Sequence, residues 1–410
     1  MNIEKAISVA RRNRAALLKQ PGVLGVGHGW KVTAGKPTSQ YAVVVYVAEK
    51  HRLAELPRER RIPKRLAGAL TDVVVVGTAQ DRHADEREHR FIDYAKIHRE
   101  LSKSRPKTPP STAHDRDIGN IAVIEDDPNH SFIIPRKRDV DWVAAYKKFR
   151  LTHEDKFDFA TFWSDFEVDC ECGAFYCGLV NPTKGINWSA CIPGGRAGWG
   201  SNRLLGFMYF VRDDDAALLQ EIGHHWMAYT GFKYKPTDKR VSYEICLDNQ
   251  PGHWSSHFDD DASPMDYDES ELGLPSGVSV DWLDNGDGTF APKRVGQGQY
   301  LFCNLDLYLM GLVPPKEVGD FFLIKNPRKV GGKIRGERVT LNVNNIIWAN
   351  GRRRPSAAKS PTSFTNAFVL LTKDATKATA RARKIDRVRE RYTAAFAAAT
   401  SDRAQIITTL

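Results

Sequence analysis

The sequence predicts an α+β protein in which a small α/β module precedes a larger α+β domain. Apolar residues recur with helical spacing in some segments and alternate or run together in others, which predicts both helices and strands. A stretch rich in proline, serine and charge, residues 101–118, separates two such regions and is predicted to be a linker. The length of 410 residues also exceeds one simple core and indicates more than one domain.

The N-terminal module, residues 1–100, is predicted to contain a helix at 3–19 and strands at 23–29, 41–48 and 72–77. Its GVGHG run contains His28, but a phosphate loop needs a following helix and here a strand continues. His28 is therefore predicted to be a strand residue. The segments GVLGVGHGWKVTAGKPT, AVVVYVAEK and TDVVVVG resemble an N-terminal module of bacterial trypsin-like peptidases, and this resemblance implies no catalytic residue.

The larger domain is expected over residues 119–350, with a basic helical C-terminal extension over 351–410. An acidic cluster at 213–215 favours the start of a helix, which the pattern extends to residue 229. Before it, the apolar pattern predicts strands at 120–125, 157–166 and 205–211 and a helix at 140–149.

Composition is that of an ordinary globular protein, with 41% hydrophobic residues. No apolar run reaches the length of a membrane span, so no membrane partner is expected. The N-terminal segment lacks the apolar core of a secretory signal, which predicts a cytoplasmic protein, with non-classical export left open. The net charge of +10 is spread along the chain, and the basic segment 373–391 lacks interleaved aromatic residues, so nucleic acid is not an expected partner.

Three of the six cysteines crowd into the segment DCECGAFYC as Cys170, Cys172 and Cys177, and Cys191 follows. Their spacing differs from the paired Cys-x-x-Cys of structural zinc sites. Without an export signal, reduced thiols are the default expectation, with a disulfide or a metal clip as alternatives. We expect the four cysteines to lie near one another.

The segment LLQEIGHHWMAY carries the candidate chemistry. In the zincin signature His-Glu-x-x-His, two histidines one helical turn apart bind zinc and the Glu activates a zinc-bound water. Here Gln220, Glu221 and His224 occupy those places, so the first ligand is replaced. The same spacing also arises by chance on exposed helices, but the preceding strand and Gly223 suit a packed site.

Downstream residues complete the candidate site. His253 or His257 could supply a third ligand from outside the helix, and Met265 in the segment SPMDY matches a methionine turn beneath the metal. A plain proline turn is the alternative for that segment.

The ordered succession of FDFATFWSDF, LLGFMYFV, LLQEIGHHWMAY, HWS, SPMDY, DNGDGTF and NLDLYLMGLVPPKEV resembles a family of predicted bacterial zincin-type metallopeptidases. The resemblance covers about two thirds of the chain and implies a zincin-like fold, a peptide or protein substrate and a zinc cofactor. It implies Glu221 as general base, His224 as second ligand and His253 as third ligand.

The replacement Gln220 departs from that family pattern. A neutral amide oxygen is a poorer zinc donor than imidazole, so weak or absent zinc is expected. His225 lies five residues from Gln220, rotated off that face, and shares a face with Glu221. Two functions therefore stay open, a zinc metallopeptidase-like hydrolase and an inactive homologue that binds a protein or peptide. The sequence does not determine the oligomeric state.

Two further segments are predicted to be structural. The segment DWLDNGDGTF lacks the terminal Glu of a calcium loop, so a hairpin turn is expected there. The apolar stripe at 305–312 is expected to be a core helix, with Tyr308 as a packed aromatic residue.

Overall fold

The computed structural model describes residues 3–20, 23–33, 36–47, 56–57, 60–75, 115–129, 131–134, 139–169, 173–192, 195–211, 215–247, 251–261, 263–266, 280–294 and 301–410. The chain divides into two compact units, the first of which begins at the N-terminus. Helices and several mixed sheets together make the fold α+β, as predicted. The proposed domain boundaries and the zincin architecture stay predictions.

The first unit places helix α1 (Ile3–Leu18) against a four-stranded sheet. The order of its strands is β1 (Val23–Thr33), β2 (Lys36–Val47), β4 (Ala69–Val75), β3 (Arg65–Leu66). Buried Val9 of the helix packs with Val43 of the sheet. His28 lies in β1 opposite Val43, which confirms the prediction that it is a strand residue.

A seven-stranded sheet forms the centre of the second unit. Its strands run in the order β10 (Ala174–Gly178), β11 (Gly206–Phe210), β9 (Phe159–Ser164), β17 (Ser363–Thr372), β6 (Ile121–Glu125), β5 (Arg116–Ile118), with β18 (Gln405–Ile407) beside β17. The four inner strands are parallel and almost continuously apolar, as expected for a sheet covered on both faces. Residues 363–372 of the expected helical C-terminal extension therefore form a central strand of this sheet, β17.

Helices cover both faces of the large sheet. On one face, α2 (Trp142–Phe149) packs its Trp142 ring against Phe162 and Phe207. On the other face, a larger core includes residues of α3 (Asp215–Gly223), α4 (Asn304–Met310) and α6 (Thr379–Ala399). Helix α4 is buried at six of its seven positions, which confirms the predicted core helix.

A second sheet of five strands follows the order β12 (Phe258–Asp259), β15 (Asp320–Val330), β16 (Lys333–Asn342), β14 (Thr289–Arg294), β13 (Val280–Asp284). Strands β13 and β14 are neighbours, and Asn285 N donates to Thr289 O at 3.0 Å across their turn. This confirms a hairpin at DWLDNGDGTF. The remaining elements are α5 (Val343–Asn350), a two-stranded sheet of β7 (Ile133–Ile134) with β8 (Asp139–Val140), and single-turn helices Pro315–Glu317 and Ala357–Lys359.

A disulfide joins Cys177 of β10 to Cys191 in the following loop. The default expectation of reduced thiols is therefore wrong for this pair, because the return of the chain beside β10 brings the two cysteines together. Cys191 N donates to Gly178 O at 3.0 Å, which fixes the loop against the strand. Cys170 and Cys172 lie outside the described residues.

Reduction of the disulfide should lower the free energy of unfolding by about 3 kcal/mol, because it releases a loop of about 15 residues in the unfolded chain. Denaturant titration with and without a dithiol measures this change, and a Cys177→Ser, Cys191→Ser variant should not respond to the reductant. Alkylation of both thiols in the native, unreduced protein would contradict the pairing.

Candidate metal centre

Helix α3 presents the motif residues at its C-terminal end. His224 N donates to Gln220 O at 3.2 Å, so the two residues are stacked one turn apart, as predicted. The helix ends at Gly223 and not at residue 229. The prediction of the longer helix is wrong because His225 N bonds Ile222 O in a tighter turn and Ala228 adopts a positive φ of 65°.

Three of the predicted site residues converge at this helix end. Gln220 Nε2 lies 3.0 Å from His253 Nε2, and the His224 and His253 rings meet edge to face with centroids 4.9 Å apart. His253 is held in place because Leu247 N donates to its carbonyl oxygen at 3.0 Å and the next residue, Trp254, bridges to Cys246. The predicted proximity of Gln220, His224 and His253 is therefore present.

The surroundings of His224 favour the neutral form of its imidazole. Burial, with a smaller contribution from nearby His253, holds the pKa of His224 well below its ordinary value. Its imidazole is therefore uncharged near neutral pH, which is the form that binds metals.

Glu221 points from the same helix toward the edge strand β10. Burial raises the pKa of its carboxyl to about 8, and a hydrogen bond from the Tyr176 backbone N–H has the smaller, opposite effect of lowering that pKa. The group can therefore gain or lose a proton near neutral pH, as a general acid or base must.

The other two candidate histidines have separate surroundings. His225 is buried, and its Nδ1 lies 2.6 Å from Tyr176 Oη. Burial first and then Arg353 lower its pKa to about 3. His257 lies parallel to the Trp282 ring with Nδ1 3.1 Å from Ser256 Oγ. His225 thus contacts Tyr176, and His257 contacts Trp282 and Ser256.

Met265 lies directly beneath the helix end. It is fully buried, and a Cβ added to Gly223 would collide with its Sδ. Trp254 N donates to Met265 O at 3.0 Å, which links the methionine to the segment that carries His253. The sequence-predicted methionine turn therefore does lie under the motif helix.

A second cluster, Asp260, Cys303 and Asp306, was not predicted from the sequence. Its members are buried, and their potential ligand atoms all lie within 4.8 Å of one another, so the group could hold a metal ion of unidentified type. Burial is the main reason that the pKa of Asp260 is raised well above its ordinary value and that of Asp306 to about 6. The one sequence signal is the Cys-x-x-Asp spacing of a capping box, which Cys303 and Asp306 form at the start of α4.

Comparison with known proteins adds no assignment to this site, since neither any protein-family model nor any curated protein matches the sequence. Tyr308 is buried, and its hydroxyl accepts a hydrogen bond from Arg353 N at 3.2 Å, which confirms the predicted packed role. Among the helices that the structure describes, none has the length and apolar character to span a membrane.

Replacement of Gly223 by alanine tests the contact with Met265. The added Cβ should destabilise the protein by about 1–2 kcal/mol, because overpacking outweighs the better helix propensity of alanine. Denaturant titration measures this, and Gly173→Ala is a control in which the new Cβ meets nothing within 4 Å. A second change, Met265→Ala, should reduce the penalty of Gly223→Ala. A stabilising Gly223→Ala would show that the contact is not close.

Proposed function

We propose that this chain is a zinc metallopeptidase-like protein whose metal position is formed by Gln220, His224 and His253, with Glu221 as general base. The observation that carries this proposal is the convergence of these three side chains above Met265, with Gln220 Nε2 3.0 Å from His253 Nε2. A helix residue and a loop residue that are distant in the sequence therefore meet above the methionine that the sequence predicts there.

The donor set suits a weakly held divalent cation. Two imidazoles whose rings are 4.9 Å apart provide nitrogen donors, and a rotation of the Gln220 amide would turn its oxygen toward the same position. An amide oxygen is a weaker zinc ligand than the imidazole that it replaces. The residues therefore fit zinc with reduced affinity.

The residues of the chain then have distinct roles. A bound zinc ion supplies Lewis acidity to a carbonyl and acidifies water. Glu221, whose carboxyl has a pKa of about 8 when no metal is present, would in its ionised form take a proton from the attacking water and deliver it to the departing amine. The Tyr176 backbone N–H donates a hydrogen bond to the Glu221 carboxylate. That carboxylate therefore lies beside β10, an edge strand of the large sheet.

A second candidate function is an inactive homologue that binds a peptide or protein. The contact between Gln220 Nε2 and His253 Nε2 favours it, because an amide that donates to the imidazole occupies the lone pair required for metal binding. The two functions predict different responses to a single substitution at residue 220.

The change Gln220→His should increase zinc affinity by at least about 10–100-fold, since it completes three imidazole ligands with one open position. Competition titration with a chromophoric chelator measures this increase, and Gln220→Asn is the matched control that alters the side chain without adding an imidazole. The variant should also gain chelator-sensitive cleavage of peptide libraries, and Glu221→Gln added to it should remove that cleavage.

The outcomes separate the two functions. A Gln220→His protein that binds no more zinc than the Gln220→Asn protein would contradict a zincin-like site. Zinc binding without cleavage would instead support the inactive, peptide-binding homologue.

A further inference from the structure

The hairpin of β15 and β16 is packed at its base and exposed at its outer end. At its base, Phe321 and Leu341 are buried and directly paired. Every residue from 326 to 333 is exposed. The outer part of the hairpin is therefore available to a partner.

Three cations lie together on one face of this outer part. The register places Arg328 opposite Arg335 and Val330 opposite Lys333. Because side chains alternate between the two faces of a strand, directly opposed residues and residues two apart share a face. We call Arg328, Lys333 and Arg335 the hairpin cations. Ile334, on the other face, is buried.

The neighbouring acidic groups compensate only part of this charge. Nearer the core, Lys325 is opposite Glu337 and its Nζ lies 3.9 Å from Glu244. The exposed carboxylate of Asp287 is within electrostatic range of Lys333. By contrast, Arg328 and Arg335 face each other, and directly opposed like charges destabilise a strand pair. An anion between the two guanidinium groups would relieve this repulsion.

We propose that the hairpin cations bind the phosphate backbone of duplex nucleic acid. Two of the three are arginines, whose planar fork matches phosphate oxygens with two parallel hydrogen bonds. At Arg335, β16 also pairs with Thr289 of β14, so the cations lie on the face of a wider sheet, and contacts to phosphates need no insertion into a groove. The net charge of +10 adds long-range attraction to a polyanion.

Like the basic segment 373–391, this face lacks aromatic residues for stacking on single-stranded bases. Contacts to duplex phosphates need no stacking. A lipid surface is a poorer fit, since Val330 is the one apolar residue among the four on this face and membrane-binding surfaces use larger side chains.

Fluorescence anisotropy with a labelled DNA duplex tests the proposal on the full chain over a series of salt concentrations. Replacing all three hairpin cations by Gln should weaken binding at least about tenfold and reduce the slope of log affinity against log salt by about 2.7, or about 0.9 per lost phosphate contact. The matched control replaces the exposed Arg383, Lys384 and Arg387 of α6 by Gln, with the same loss of charge. This control should keep the wild-type slope. A variant with Arg328→Lys and Arg335→Lys, which retains the charge but loses the bidentate fork, should keep the wild-type salt slope with a weaker affinity.

Three results would overturn the proposal. The first is no binding of the wild-type chain at about 50 mM salt, where such contacts are strong. The second is an equal loss of affinity in the hairpin and α6 variants, which would show a response to net charge alone. The third is a hairpin-dependent interaction with anionic lipid vesicles or polyglutamate and none with the duplex, which would assign the face to a membrane or an acidic protein.

Discussion

The buried carboxylate of Asp306 joins three segments on which the candidate metal centre depends. It accepts hydrogen bonds from Trp254 Nε1 at 3.0 Å and from Ser263 Oγ at 2.5 Å, and it closes the capping box at the start of α4. Trp254 follows His253 in the chain. Ser263 Oγ in turn accepts a bond from Met265 N at 3.0 Å. A single carboxylate thus fixes the His253 segment and the methionine turn to one core helix.

This arrangement also bears on the second metal candidate. Both oxygens of Asp306 already accept internal hydrogen bonds, and Cys303 Sγ donates to Asp260 at 3.2 Å. A buried carboxyl is stabilised by such bonds, which partly offset the desolvation that raises its pKa. The Asp260, Cys303 and Asp306 cluster therefore has a sufficient structural role without a metal, whereas burial favours the neutral, metal-binding form of His224 above Met265.

The sequence could predict the features that depend on local pattern. Apolar periodicity predicted three buried strands of the large sheet, β6, β9 and β11, and helix α4, and the spacing of Gln220 and His224 predicted their stacking. It did not predict the central strand β17. The early end of α3 could not be predicted, because it depends on tertiary contacts around Ala228. The pairing of Cys177 with Cys191 and the role of Asp306 depend on segments that meet only in the folded chain, so no local pattern shows them. The choice of His253 over His257 rested on family resemblance, and the structure places His253 beside Gln220 and His224.

The central claim is that a metal bound by this chain is held by His224 and His253. Cobalt(II) titration followed by electronic absorption tests it directly, because cobalt reports both binding and ligand type. A site held by His224 and His253 should give a spectrum of nitrogen and oxygen donors without thiolate charge transfer, abolished by His253→Ala and retained in Cys303→Ser. A thiolate charge-transfer band that Cys303→Ser removes, binding that His253→Ala leaves unchanged, or no cobalt spectrum at saturating metal would contradict it.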